Sequence, residues 1–148
     1  MAQATPIRTE SILENGFKEV RYTVDGKLHR TDGPALITTS VDGMIEEIWY
    51  ENGKKHKTDG PAYTITSSDG IHQEFWYEND KQHRIGAPSA MSFDRNGNLT
   101  HEEWYQNGET HRDGGPAVVS YDQDGIIRQY WYSHNKLVSQ STEIGKPY

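Results

Sequence analysis

The sequence predicts an all-β fold, an elongated antiparallel meander of repeated β-hairpins. Three observations predict it: a period of 27–28 residues, two turn dipeptides in every period, and β-branched and aromatic segments between the turns. The period is carried by Trp49, Trp76, Trp104 and Trp131, which stand 27, 28 and 27 residues apart, with Tyr22 a further 27 before Trp49. Pro34, Pro61, Pro88 and Pro116 follow at intervals of 27, 27 and 28. Self-similarity at such a period marks stacked units that each contact their neighbours, so the whole chain, 1–148, reads as one repeat domain.

The units can be taken in order. VDGKLHRTDGPA opens a repeat near 22–48, WYENGKKHKTDGPA one at 49–75, WYENDKQHRIGAPS one at 76–103, and WYQNGETHRDGGPA one at 104–130. WYSHNKLV begins a degenerate copy, 131–148, in which Val138 replaces the recurring His and Asp-Gly-Pro is lost; it is expected to cap the array. Each unit holds two turn signals. One is Asp25-Gly26, Asn52-Gly53, Asn79-Asp80, Asn107-Gly108 and His134-Asn135; the other is Asn15-Gly16, Asp42-Gly43, Asp69-Gly70, Asn96-Gly97 and Asp124-Gly125. Both are expected to form two-residue type I′ turns, because Asn and Gly tolerate the positive φ that this turn needs. About ten strands follow, in a single twisted or curled sheet.

Turn position dictates pairing. With Asn52-Gly53 as a two-residue loop, Glu51 faces Lys54, Tyr50 faces Lys55 and Trp49 faces His56; the same count sets Trp76 against His83, Trp104 against His111 and Tyr22 against His29. His29, His56, His83 and His111 are therefore expected to stack on the aromatics, a structural role, and Pro34, Pro61, Pro88 and Pro116 to end strands because proline has no N–H to donate. Alternation then separates Glu47, Trp49 and Glu51 from Ile48 and Tyr50, and Glu74, Trp76 and Glu78 from Phe75 and Tyr77. Lys57, Arg84 and Arg112 are expected to project along one edge, at the kink before each proline.

Composition narrows the function. Hydrophobic residues make up 32% and the mean hydropathy is −0.93, so the core is thin and neighbour contacts must stabilise the fold. Fifteen Lys and Arg against 22 Asp and Glu give a formal charge of −7, which disfavours direct nucleic-acid binding and anionic membranes and favours a protein partner with a basic surface. No Cys is present, and MAQATPIRTE lacks the apolar stretch of a signal peptide, so a cytoplasmic location is expected.

Catalysis is not expected. Equivalent His residues lie two strands apart, about 9.6 Å, too far to share a metal ion bound at about 2.0–2.1 Å. Glu46-Glu47 and Glu102-Glu103 are adjacent in strands and point to opposite faces, so neither is a carboxylate pair converging on a substrate. No nucleophile elbow or phosphate-cradling loop is present, and neither cofactor nor metal is implied. What remains is a surface made several times over. Its candidate binding residues are Trp49, Trp76, Trp104 and Trp131, Glu51 and Glu78, Tyr50, Tyr77 and Tyr105, and Arg84 and Arg112, since aromatic rows with charged rims anchor interfaces.

An aromatic followed by Asn-Gly-x-x-His, with an Asp-Gly turn later in each unit, resembles the MORN repeat and its bacterial and viral variants over about residues 15–138. The resemblance implies a non-catalytic hairpin array that holds proteins together or sits near membranes, with variants among bacterial antitoxin or immunity proteins and phage or giant-virus proteins. Where MORN repeats carry Gly after the His, this chain carries Arg30, Lys57, Arg84 and Arg112, and its acidic balance speaks against the lipid-binding use. The expectation is a binder of inhibitor or immunity type that occludes a bacterial or phage-host protein. The alternatives are a scaffold assembling through its sheet edges and a carbohydrate-binding module built on the Trp ladder.

Overall fold

The computed structural model describes residues 4–145, so 1–3 of the N-terminal stretch and 146–148 of the expected capping repeat lie outside the described residues. The described chain is all-β. It begins with β1 (Ile7–Ile12) and β2 (Lys18–Val24), on which the short β3 (Lys27–Leu28) folds back. The next unit has β4 (Leu36–Thr39), β5 (Ile45–Ile48) and a small hairpin of β6 (Tyr50–Glu51) and β7 (Lys54–Lys55). It recurs as β8 (Tyr63–Thr66), β9 (His72–Phe75), β10 (Tyr77–Glu78) and β11 (Lys81–Gln82), then as β12 (Ala90–Phe93), β13 (Leu99–Glu103), β14 (Tyr105–Gln106) and β15 (Glu109–Thr110). β16 (Val118–Tyr121), β17 (Ile126–Ser133) and β18 (Lys136–Ile144) complete the fold.

Eleven of these strands form one antiparallel meander in the order β1-β2-β4-β5-β8-β9-β12-β13-β16-β17-β18, open at both ends. The count of 18 exceeds the ten or so expected, because each unit is two hairpins joined at its aromatic residue. The Trp49 N–H donates to the Ala62 carbonyl (2.7 Å) in the main sheet, while its own carbonyl accepts from the His56 N–H (3.2 Å) in the small hairpin. Trp76, Trp104 and Tyr22 do the same, toward Ser89 and His83, Ala117 and His111, and Ala35 and His29. The main strand thus hands over to the small hairpin at one backbone joint, and the counted register holds: Glu51 pairs with Lys54 and Tyr50 with Lys55.

The two sets of turns differ. Both central residues have positive φ at Asp25-Gly26 (49° and 74°) and Asn52-Gly53 (51° and 81°), the type I′ geometry expected, and the other small-hairpin turns match. At the second set the glycine alone is positive, as at Gly43 (88°), and the expectation of type I′ turns there is corrected. Gly43 N–H donates to the Ser40 carbonyl and Ser40 N–H to the Met44 carbonyl, a three-residue loop closed by a left-handed glycine. The loop's first residue completes it: Ser40 Oγ and Ser67 Oγ accept from Met44 N–H (2.9 Å) and Ile71 N–H (3.0 Å), and Asp94 and Asp122 take the same place later.

The core is built from small residues. Ala35, Ala62, Ser89 and Ala117, which all follow the repeat prolines, are 0% exposed, and Val20, Ile48, Ala90 and Val119 join them. Ala35, Ala62, Ser89 and Ala117 alternate across the sheet with Tyr22 and the tryptophans, so a small side chain lies beside each large one. The opposite face carries a row read directly from the register, Leu36, Ile48, Tyr63, Phe75 and Ala90, in which the rings of Tyr63 and Phe75 stack at 5.2 Å.

Candidate functional site: a row of tryptophan-floored grooves

Trp49, Trp76, Trp104 and Tyr22 are half-buried, and each has a cation over its ring. Lys57 Nζ lies 4.0 Å from the centroid of Trp49, Arg84 Cζ 3.9 Å from Trp76, Arg112 Cζ 3.8 Å from Trp104, and Arg30 Cζ 4.0 Å from Tyr22. Two expectations are corrected by this. The ring partner of each aromatic is the cation one residue after the His, and Lys57, Arg84 and Arg112 fold back over the sheet instead of projecting along an edge. The reason is local: the loop that ends at the repeat proline turns that residue's carbonyl toward the arginine. The guanidiniums of Arg30, Arg84 and Arg112 donate to the carbonyls of Pro34 (3.4 Å), Pro88 (3.0 Å) and Pro116 (3.1 Å), adding a charge-assisted bond to each cation–π contact. In the first and fourth units a glycine leaves room for that side chain; a Cβ on Gly33 would lie 2.5 Å from Arg30 Cζ and one on Gly115 3.0 Å from Arg112 Cζ.

The repeat histidines oppose the aromatics through the backbone, as counted, but their rings serve the stacking of small hairpins. His29 Nδ1 accepts from the Asn52 N–H (3.0 Å) and His83 Nδ1 from the Asn107 N–H (3.1 Å). At the alternate junctions a turn side chain takes over: Asp80 Oδ1 accepts from Lys55 N–H and Asn135 Oδ1 from Thr110 N–H, both at 2.8 Å. His56 Nδ1 and His111 Nδ1 are then buried without a partner, although the His111 ring stacks on His134 at 4.2 Å. The signal for this alternation is in the sequence, where Gly53 and Gly108 occupy the second turn position in one kind of junction and Asp80 and Asn135 in the other. At every junction a turn N–H also donates to the preceding hairpin, as Gly53 does to Leu28 (2.8 Å) and Asp80 to Lys55 (3.0 Å).

Between successive loops that lead to the repeat prolines lie open grooves. One of about 620 Å³ contains Trp76, Tyr77, Glu74, Glu78, Arg84 and Ile85, with the loop of the preceding unit as its wall. A second of about 410 Å³ contains Trp49, Glu51 and Thr31 and shares His56, Lys57, Thr58 and Asp59 with the first. The structure therefore brings Trp49 and Glu51 together in one groove and Trp76, Tyr77, Glu78 and Arg84 in the next. Tyr50 and Tyr105 occupy the small-hairpin strands β6 and β14, Trp104 and Arg112 form the equivalent stacked pair one unit on, and Trp131 sits in β17, opposite Ser139. Pro34, Pro61, Pro88 and Pro116 lie outside the strands, each just before its buried small residue.

Electrostatics distinguish the two sheet faces. Glu103 is held below the ordinary glutamate range by its hydrogen bond with His101 (2.7 Å), against the opposing effect of burial, with the Tyr105 hydroxyl donating to its other oxygen (2.7 Å). Burial first, and that same bond second, push the Tyr105 phenol up to about 12. Among the described residues no group of three or more His, Asp or Glu side chains is placed to hold a metal ion, and no helix is long and apolar enough to cross a membrane. No family model and no curated protein matches the chain.

Proposed function

We propose that this chain is a non-catalytic repeat protein, MORN-like in its plan, that binds another protein through the grooved tryptophan face. The observation that carries the reading is the in-register repetition of one arrangement, a half-buried tryptophan flanked by carboxylates between two loop walls. An active site needs one copy of its groups; a surface that reads an extended partner gains from several. The cations present are engaged with rings and proline carbonyls, which leaves Glu51, Glu74, Glu78 and Asp59 to face a ligand and favours a basic partner. An inhibitor or immunity-type role by surface occlusion suits this chemistry, and the cytoplasm is the compartment proposed for it.

The test is capture from bacterial lysate at two salt concentrations, wild type beside Trp76→Ala and Glu51→Lys, each first checked for retained β-sheet by circular dichroism. A stoichiometric partner that both folded variants lose supports the reading. Partners retained unchanged by both variants sink it.

A scaffold role is the second reading, favoured by the exposed edge strands: Ile7 and Ile12 of β1 are 66% and 69% exposed, Val138 and Ile144 of β18 65% and 88%. Every neighbour pairing along the meander is antiparallel, so its two outer strands run in the same direction. Head-to-tail stacking would require parallel pairing, whereas β18 against β18 about a twofold axis is antiparallel and closed. A dimer in sedimentation that Val138→Lys dissolves would support it; a monomeric wild type would exclude it.

A further inference from the structure

The spacing of the grooves selects among the forms that a bound polypeptide can take. Trp49, Trp76 and Trp104 stand at equivalent positions immediately after β5, β9 and β13, and one intervening strand separates each from the next, so these tryptophans recur at about 9.4–9.8 Å across the strands. An α-helix lying across them would repeat every 5.4 Å or so, and an extended β-strand presents one side about every 6.6–6.8 Å. A polyproline II helix repeats every three residues, about 9.3 Å, and so returns the same side to each groove with a drift below about 0.5 Å per unit.

The groove chemistry fits the same ligand. In the groove over Trp76 one wall carries Ile85, 87% exposed and apolar, where the other units have Thr31, Thr58 and Asp113. Tryptophan and an exposed aliphatic side chain form a slot for a proline ring, which docks with little entropy loss because its backbone is preformed. Beside them stand Glu74 and Glu78, whose side chains are 25% and 60% exposed and meet histidines at 3.3 and 3.9 Å. Arg84, which also lines this groove, is engaged by its contacts with Trp76 and the Pro88 carbonyl. Two successive grooves thus set a tryptophan beside carboxylates, Trp49 with Glu51 and Asp59 in one and Trp76 with Glu74 and Glu78 in the next.

We propose that the tryptophan face binds a proline-rich, basic segment of its partner in the polyproline II conformation, running across the strands with one three-residue turn per repeat. This rests on the protein-binding reading above and names the class of segment recognised. Each turn places a proline over a tryptophan and an Arg or Lys against the glutamates beside it.

The test uses fluorescence anisotropy with a labelled peptide of four Pro-Pro-Arg triplets against one of four Gly-Ser-Arg triplets, equal in length and charge. The proline peptide is expected to bind about tenfold tighter or more, because less backbone entropy is lost. Ile85→Arg and Glu78→Arg, both at exposed positions, should each weaken it by about tenfold, through a blocked slot and through charge repulsion. Equal binding of the two peptides, abolished by salt, would overturn the proposal and leave charge attraction alone. Quenching of tryptophan fluorescence by cellohexaose with no peptide binding would replace it with a glycan site. If neither peptide binds while the lysate partner is captured and lost with Trp76→Ala, the polyproline proposal fails and the protein-binding reading stands.

Discussion

Replacing Arg112 tests whether the cation over each aromatic holds the repeats together. Its guanidinium lies 3.8 Å from the Trp104 centroid and donates to the Pro116 carbonyl at 3.1 Å. For a half-buried pair the ring contact is worth about 0.5–2 kcal/mol, and a hydrogen bond from a charged donor about 1.5–3 kcal/mol before water replaces it. With water able to reach the carbonyl, Arg112→Met should cost about 1.5–2.5 kcal/mol, since Met keeps the packing and loses both polar terms. Arg112→Lys should cost about 1 kcal/mol, because Lys keeps a charge over the ring, as Lys57 does over Trp49, and gives up the guanidinium's reach to the carbonyl. The reverse change, Lys57→Arg, should stabilise by about 0.5–1 kcal/mol by supplying the bond that Arg30, Arg84 and Arg112 make. Urea unfolding followed by tryptophan fluorescence measures the global effect at constant slope. Hydrogen exchange at Trp104, whose N–H donates to the Ala117 carbonyl at 2.7 Å, measures the local one and should quicken about 13–70-fold in Arg112→Met. A Met variant as stable as wild type, or a Lys57→Arg variant less stable than wild type, would refute the reasoning.

Three further outcomes are expected. Gly33→Ala puts a Cβ 2.5 Å from Arg30 Cζ and should displace Arg30 from Tyr22 and Pro34, costing about 1–2 kcal/mol by urea unfolding; Ala87, at the equivalent place of the third unit, follows Gly86 at φ 75° and is accommodated there. Ala117→Leu overfills a site that is 0% exposed and should cost about 1–3 kcal/mol, whereas Ala117→Ser should cost less because Ser89 fills the matching site. Glu103 has a depressed folded-state pKa, so its contribution is present above the ordinary glutamate range and is lost as pH falls through the lower folded value; Glu103→Gln should flatten the acid limb of a stability-against-pH curve.

The hairpins were legible from residue types whose backbone preferences are local. Asn52-Gly53 selects its turn without help from distant residues, and once the turn is placed, the pairing of Tyr50 with Lys55 follows by counting. The period of the tryptophans likewise announced a stacked array. Less was legible where two signals look alike, as with Asp42-Gly43, which closes a three-residue loop because Ser40 and Met44 supply the bonds on either side.

By itself, then, the sequence determined the all-β class, the order of the hairpins and the alternation of faces, because each depends on φ preferences and spacing within a few residues. The tertiary structure alone decided which side chain covers each tryptophan. Counting across a turn identifies the residue directly opposite, His56 for Trp49, but a ring is covered by whatever long side chain can reach it. Lys57, Arg84 and Arg112 reach because the following loop folds back over the sheet. The grooves have the same origin, since their walls belong to one unit and their floors to the next.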